Sequence, residues 1–424
     1  MKRYSLITFG CQMNRSDSER IAFLLTKHNF KQTKKIKNAD LIVVNMCSVR
    51  QSAVDRVYGL IPKLKKLKKE NKGLKTVLTG CILKKDKKKL SQGFDYILEI
   101  KKLNQWPKVL FKLSPLEKKD YFSIPQLRES KFLIFIPISS GCENFCTYCV
   151  VPYTRGPLIC RPPKKILEDV KRALCEGVKE IWLLGQNVNS YRFQKTDFAS
   201  LLSRVARLKG NFWIRFTSSH PKDFSDRLIE VFAKTKKITP YVNLPVQSGD
   251  NEILKRMNRP YNISQYKKII KKIRQAFKKY RQGLEKEIAI STDIIVGFPG
   301  EKRKHFKNTE KLVKEIGFNM AYIAEYSPRP GTAAYYLKDG VSPKEKERRR
   351  KALTKILEKV ALEKNQRFIN KTISVLVEEK KNGYLLGKSR HFKTVKFKGK
   401  KSLIGQFVKV KIVDCFPWGL KGNL

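Results

Sequence analysis

Histidine is nearly absent: the chain holds four in 424 residues, and none falls near its densest cysteine cluster, Cys142, Cys146 and Cys149. Structural zinc takes a closed four-ligand shell, usually assembled from two ligand pairs. With no second pair nearby and no histidine to complete the shell, the spacing speaks against zinc. Acidic residues are scarce too, 37 against 92 Lys and Arg, and the formal net charge is +55. A surface so basic draws polyanions through counterion release, so nucleic acid is the expected partner. Part of that excess also reads as solvated helix faces, in the runs Lys63–Lys69 and Lys84–Lys89. Long apolar runs are missing: nothing approaches the roughly 18 residues of a membrane span. The opening Met1–Phe9 has no apolar run of secretory length, and no basic amphipathic segment carries an aromatic face to insert into a membrane surface. The nine cysteines are an odd count, as expected of a reduced, cytoplasmic protein without a disulfide framework. What is present suffices for ordinary cores, 41% hydrophobic and 10% aromatic residues over a length that accommodates two or three domains.

The most informative stretch is Gly141-Cys-Glu-Asn-Phe-Cys-Thr-Tyr-Cys149. Three thiolates at x3 and x2 spacing suit a cube with four irons. A [4Fe–4S] cluster normally takes four cysteines, so a loop that supplies three leaves one iron open to a small molecule. An open iron chelates the amino and carboxylate groups of S-adenosylmethionine, and an electron delivered through the cube then cleaves its C–S bond to a carbon radical. Tyr148, directly before the third cysteine, is placed to pack on an adenine ring, or equally to serve as a plain core aromatic.

From residue 3 to about 110, short β-branched runs alternate with Lys-rich periodic segments: Arg3 to Phe9, a helix over Ser16 to Lys27, Asp40 to Asn45, a helix over Ala53 to Lys69, and Thr76 to Leu78. This predicts a βαβαβ unit. Cys11, Cys47 and Cys81 each follow one of those strands, and parallel strands end on a common edge, where ligands bind. A second three-thiol site is therefore expected; the plainer alternative is three half-buried small residues beside tight turns.

Residues 111–130, with Ser114, Pro115, Ser123 and Pro125, read as a linker. Six further strands follow, at Phe132 to Ile138, Glu180 to Leu184, Phe212 to Phe216, Tyr241 to Leu244, Ile288 to Val296 and Ala321 to Tyr326. Six βα units are too few for the usual eight-stranded barrel and predict an incomplete, curved one with its site at the strand carboxyl ends. Two turns there carry candidate ligand contacts. Gly297, in Gly297-Phe-Pro-Gly-Glu301, lets backbone approach a ligand or merely makes a tight turn. Gln186 and Asn187 hydrogen-bond a nucleoside or methionine group, or cap the next turn. From 366 to the end, alternating strands at Ile373 to Glu378, Thr394 to Phe397 and Phe407 to Val413 predict a small β-barrel of an RNA-gripping kind.

Together these strings resemble the radical S-adenosylmethionine methylthiotransferases, most closely their MiaB-type tRNA branch, from end to end. The matching motifs are Thr8-Phe-Gly-Cys-Gln-Met-Asn14 with Asp17-Ser18, Asn45-Met-Cys-Ser-Val-Arg50, Gly80-Cys81, and the cysteine loop running into Val151-Pro-Tyr-Thr-Arg-Gly156. Further along come Leu184-Gly-Gln-Asn-Val-Asn-Ser-Tyr191, Ser218-Ser-His-Pro221, Leu244-Pro-Val-Gln-Ser-Gly249, Asp293–Glu301 and Tyr326-Ser-Pro-Arg-Pro-Gly-Thr332.

The resemblance implies an α/β chain in three parts. A flavodoxin-like N-terminal domain over 1–110 and a linker over 111–130 precede a partial (β/α)6 radical core over 131–365, and an RNA-binding TRAM barrel fills 366–424. It implies two [4Fe–4S] clusters, with Cys142, Cys146 and Cys149 generating the radical and Cys11, Cys47 and Cys81 supporting sulfur insertion. Two S-adenosylmethionine molecules serve each turnover, one as methyl donor and one as radical source. The implied substrate is adenosine 37 of the tRNA anticodon loop, already isopentenylated on N6, and it gains a methylthio group at C2. A monomer served by an electron donor such as flavodoxin or ferredoxin completes the picture.

The chain departs from the family in places. Pro157-Leu-Ile-Cys160 replaces the usual charged run after the loop, Asn243 stands where a His is usual, and Gly387-Lys-Ser389 replaces a frequent Gly-Arg-Thr. Cys175 reads as core packing, Cys160 as a spare ligand or redox liability, and Cys415 is left over. Two rival readings stand beside this one. The first moves the same chemistry to threonylcarbamoyladenosine in tRNA or to a ribosomal-protein aspartate, although Gln12-Met13-Asn14 and Pro152-Tyr153-Thr154 favour isopentenyladenosine. The second is a non-catalytic RNA-binding protein whose clusters are structural.

Overall fold

The computed structural model describes residues 1–114 and 120–424. Residues 115–119 of the expected linker, Pro115 among them, lie outside the described residues. The chain divides into two compact units, one of residues 1–130, 135–161 and 329–335, the other of residues 131–134, 162–328 and 336–424.

The first unit is built on a parallel sheet of β1 (Arg3–Phe9), β2 (Lys31–Gln32), β3 (Leu41–Cys47), β4 (Lys75–Cys81) and β5 (Tyr96–Ile97), in the order β2-β1-β3-β4-β5. That is the flavodoxin-like order, with its switch point between β1 and β3. The sequence pattern marks the three long strands and misses β2 and β5, which at two residues each are too short to show a period. β3 reads Leu-Ile-Val-Val-Asn-Met-Cys and is buried throughout, as a central parallel strand covered on both faces must be. Helix α1 (Gln12–Lys27) buries Ile21, Leu24 and Leu25 on one side of the sheet. Helix α2 (Gln51–Glu70) buries Val54, Val57, Leu64 and Leu67 on the other. In the run Lys63–Lys69, Leu64 and Leu67 face inward while Lys63, Lys65, Lys66 and Lys69 are exposed, so that run is a solvated helix face. The stretch from 120 to 130 is packed: Tyr121 and Ile124 join the core, and Gln126 Nε2 donates to Ser16, Glu19 and the Phe135 carbonyl.

Strand β6 (Leu133–Pro137) begins in the second unit and carries the chain into the first. Five more parallel strands belong to the second unit: β7 (Glu180–Leu184), β8 (Trp213–Phe216), β9 (Tyr241–Asn243), β10 (Ala289–Val296) and β11 (Met320–Glu325). β8 pairs with β7, and β10 lies between β9 and β11. All six expected core strands are present within a residue or two of their sequence bounds. The covering helices follow their periodicity. Ile263–Tyr280 buries Tyr266, Ile270, Ile273 and Phe277, and opens on a capping box between Asn262 and Gln265.

The C-terminal strands β12 (Thr372–Lys381), β13 (Tyr384–Ser389), β14 (Thr394–Phe397), β15 (Phe407–Phe416) and β16 (Gly419–Asn423) close a barrel in the order β12-β13-β14-β16-β15. Alternate residues, Ile373, Val375 and Val377 and then Val410 and Ile412, fill its interior. Two of these strands, β13 and β16, are obscured in sequence by glycine. At Gly387 a Cβ would stand 2.3 Å from the Leu376 carbonyl oxygen, so the gap in the pattern is a close backbone approach.

A buried ion pair ties this barrel to β7 and β8. The Arg215 guanidinium pairs with Glu180, both fully buried, and donates to Thr239 Oγ1 at 3.0 Å and to the carbonyls of Ser389 (2.8 Å) and Arg390 (3.0 Å). Removing one partner of such a pair leaves an uncompensated buried charge, at a cost of about 3–5 kcal/mol. Arg215→Met is expected to lose stability on that scale in denaturant unfolding, with part recovered on adding Glu180→Gln. A loss under about 1 kcal/mol, the size of an exposed pair, would show that the barrel does not depend on it.

Candidate functional site

The strands of the first unit deliver three cysteines to one edge. Cys47 and Cys81 are register partners at the ends of β3 and β4, and Cys11 immediately precedes α1 beyond β1. Cys11 and Cys47 therefore flank the switch point of the sheet. The Cys47 side chain bonds both neighbouring thiols, so the three titrate together. Receiving the Cys47 hydrogen bond lowers Cys11 to about 6 against the opposing effect of burial. The same kind of bond lowers Cys81 to about 7, with the Arg155 charge assisting. Cys47 is held well above the usual thiol range by its contacts with both neighbours and by burial. The shifts of Cys11 and Cys81 are toward the thiolate, the form that binds metal.

The motif residues around these cysteines lock the edge. Asn14 Nδ2 donates to Asn45 Oδ1 (3.0 Å) and to the Met46 carbonyl (3.2 Å), while Asn45 Nδ2 returns bonds to the Asn14 carbonyl (2.8 Å) and Ser18 Oγ (3.0 Å). The Cys11 N–H donates to Asn14 Oδ1 at 3.2 Å. Gly80, with φ +106°, lies so close to β3 that a Cβ would stand 2.2 Å from the Met46 carbonyl oxygen. That contact explains the glycine before Cys81.

The second cysteine set lies in the same unit. A two-residue antiparallel ladder, Ser139↔Cys160 and Ser140↔Ile159, pinches the neck of the loop. Inside it, the Cys142 N–H donates to the Gly156 carbonyl (3.2 Å) and the Cys149 N–H to the Cys146 carbonyl (2.9 Å). Gly141, at φ +90°, has no room for a Cβ, which would fall 1.9 Å from the Pro157 oxygen. Cys146 is buried and Cys142 and Cys149 are half-buried. Tyr148 sits half-buried in the turn between the last two cysteines. The segment 329–335 packs here, the Ala334 N–H donating to the Thr147 carbonyl at 2.8 Å. From that segment buried Arg329 reaches Gln51 and adds a cation near Cys47.

Helix α3 (Val151–Arg155) follows the loop. Its last side chain, Arg155, is 2% exposed. Nη2 donates to Asp17 at 2.5 Å and Nε to the Cys81 sulfur at 3.1 Å, while Nη1 is buried without a partner. Sequence reasoning quoted Asn14, Asp17, Asn45, Arg155 and Arg329 within motif strings and gave none of them a role. Their presence in those strings was the available signal.

The other expected contact residues lie in the second unit. Asn187, after β7, donates to Asp223 at 2.6 Å, and Gln186 beside it is half-buried. The Gly297 N–H donates to Glu301 Oε2 at 2.6 Å, and Glu301 in turn pairs with Arg349. Asn243 donates to Ser291 Oγ and Asp293 Oδ2, each at 3.1 Å, joining β9 to β10 without a titrating group. Buried and unpartnered near the ends of β7 and β8 are Asn187 Oδ1, Ser219 Oγ and His220 Nε2. Burial, with Arg259 and Lys222 assisting, depresses His220 to about 2, so it stands neutral and offers a hydrogen bond.

Three thiols on separate segments, beside a guanidinium with one buried nitrogen left unpartnered, form a donor set whose chemistry suits an anionic iron–sulfur cube. Among the described residues no set of three or more His, Cys, Asp and Glu is placed to hold a single metal ion. No helix among them is long and apolar enough to cross a membrane.

Comparison with known proteins places these features in context. Residues 3–99 match the Uncharacterized protein family UPF0004, 136–313 the Radical SAM superfamily and 366–424 the TRAM domain. The tRNA-2-methylthio-N(6)-dimethylallyladenosine synthase of Dictyoglomus thermophilum is 40% identical over 442 residues, spanning 100% of this chain and 99% of the relative. That of Pelotomaculum thermopropionicum is 38% identical over 446 residues, spanning 100% and 98%. Among solved structures, the cobalamin-dependent S-adenosylmethionine radical enzyme OxsB shares the fold with TM-score 0.54 at 11% identity, over 85% of this chain and 55% of that one. The radical S-adenosylmethionine methyltransferase TsrM from Kitasatospora setae does so with TM-score 0.52 at 12% identity, over 79% and 75%.

Proposed function

This chain belongs to the family of tRNA-2-methylthio-N(6)-dimethylallyladenosine synthases, and on that premise we propose that it adds a methylthio group to C2 of N6-isopentenyladenosine at position 37 of tRNA. The observation that carries the reading is the convergence of Cys11, Cys47 and Cys81 on one sheet edge, in the same compact unit as the Cys142–Cys149 loop. Cys142, Cys146 and Cys149 hold the radical-generating [4Fe–4S] cluster, and Cys11, Cys47 and Cys81 hold an auxiliary one that keeps the sulfur. When bound, the first cluster supplies the electron that cleaves S-adenosylmethionine to a radical able to take hydrogen from C2 of the adenine. Two S-adenosylmethionine molecules are consumed per turnover, one of them as methyl donor, and a flavodoxin or ferredoxin delivers the electrons.

Around the chemistry, the protein binds and orients. Tyr148, Gln186, Asn187 and Gly297 are assigned to S-adenosylmethionine. The unpartnered atoms of Asn187, Ser219 and His220 support a polar ligand at those strand ends. The C-terminal barrel is assigned to the RNA. Exposed Phe416 and Trp418 stand on the β15–β16 hairpin with exposed Lys409, Lys411 and Lys421, an aromatic and basic surface of the kind that stacks splayed loop bases. The functional division runs 1–110, 111–130, 131–365 and 366–424, in a cytoplasmic monomer.

Mass spectrometry of tRNA nucleosides tests the reading, in a bacterial strain lacking its own such enzyme, with and without this gene. Appearance of 2-methylthio-N6-isopentenyladenosine is expected. Cluster-loaded protein that yields methylthio-threonylcarbamoyladenosine, or no modified nucleoside, would refute the substrate assignment.

A further inference from the structure

The residue that joins the two cysteine sites is Arg155. It lies six positions beyond Cys149, at the end of the helix that follows the radical loop, yet its side chain is buried among residues of the N-terminal triad. Asp17 holds it at 2.5 Å, and Asp17 is itself fully buried and bonded by the Tyr121 hydroxyl. The Lys101 ammonium fixes the Arg155 carbonyl. So anchored, the guanidinium points Nε at the Cys81 sulfur, 3.1 Å away, and leaves Nη1 buried with no acceptor. The Asp17 carboxylate alone explains neither of those two directions. A buried donor without a partner is costly, and here it belongs to a guanidinium bonded to Cys81 and close enough to Cys11 for its charge to act there, sulfurs whose metal-bound form is anionic.

We propose that Arg155 is a positioning residue for the auxiliary cluster: its fork hydrogen-bonds the Cys81 thiolate through Nε and offers Nη1 to anionic sulfur on the cluster, stabilising the electron-rich state. Hydrogen bonds to cluster sulfurs and nearby charge are the protein's means of setting cluster potential. Arginine suits the post because its planar fork serves Asp17 and Cys81 at once, where an ammonium is a point charge. The inference rests on the assignment of Cys11, Cys47 and Cys81 as cluster ligands.

The test uses full-length protein carrying C142A, C146A and C149A, so that iron binds only at the N-terminal triad. After anaerobic reconstitution, iron and sulfide are counted and the cluster is titrated redox-potentiometrically by electron paramagnetic resonance, with Arg155 intact and as R155K, R155Q and D17N. With Arg155 intact, one [4Fe–4S] cluster per chain is expected. R155Q is expected to shift the reduced-to-oxidised ratio at a given potential at least tenfold toward oxidised, a midpoint about 59 mV lower for one electron. R155K, which keeps charge and loses the fork, is expected between the two. D17N, which leaves the guanidinium unanchored, serves where R155Q does not accumulate folded and is expected to change the resonance line shape. Equal midpoints and line shapes across the series would reduce Arg155 to a structural ion pair and overturn the inference. Absence of iron with Arg155 intact would instead strike at the triad assignment beneath it.

Discussion

Cys142→Ala is expected to abolish 5′-deoxyadenosine formation when reconstituted protein meets S-adenosylmethionine and dithionite without oxygen. Three thiolates are the least that holds a cube with one corner open, and backbone bonds tie the loop against recruiting a replacement. Its neck is a fixed ladder, the Cys142 N–H is tied to the Gly156 carbonyl at 3.2 Å, and Gly141 sits in a left-handed conformation against Pro157. The nearest candidate in sequence is Cys160, which is held in that ladder opposite Ser139. Residual turnover in C142A that disappears in C142A/C160A would show that Cys160 serves as a spare ligand after all. Undiminished turnover in the double variant would sink the assignment of the loop. Wild-type protein with intact clusters and no cleavage product would favour a non-catalytic RNA-binding protein.

The sequence and the structure agree most closely where periodicity is long. Six core strands appear where β-branched and aromatic runs placed them, because strands covered on both faces, such as Glu180–Leu184, are mostly apolar. Strand pairs of two residues leave no such trace, which is why β2 and β5 emerge only from the sheet. The placement of Cys11, Cys47 and Cys81 at one sheet edge was legible because each directly follows or ends a marked strand. Arg155 was not, since an arginine at the end of a five-residue helix is ordinarily solvated. Only tertiary structure reveals that its partners are Asp17 and Cys81, 138 and 74 residues away. Asn14 and Asn45 were hidden for the same reason: reciprocal amide bonds across 31 residues show no local period.

Cys47→Ala is expected to separate the two halves of the reaction, leaving 5′-deoxyadenosine formation in place while the methylthio product falls below detection. Cys47 is the middle thiol, bonded to both Cys11 and Cys81, so its loss leaves two sulfurs that cannot retain a cube. Alanine fits the buried end of β3, where Cys47 is 3% exposed, and leaves intact the Asn14–Asn45 lock that holds the edge together. The radical loop is closed by backbone bonds of its own, from Cys142 to Gly156 and from Cys149 to Cys146. Cys81→Ala is a less clean experiment, because it removes the acceptor of Arg155 Nε and disturbs the helix that follows the radical loop. Cys47→Ala is therefore the cleaner probe of the N-terminal triad. Product at the wild-type level in this variant would overturn the sulfur-handling assignment of the N-terminal triad. Loss of 5′-deoxyadenosine together with product, in protein that still binds iron at Cys142, Cys146 and Cys149, would mean that radical formation itself depends on the auxiliary cluster.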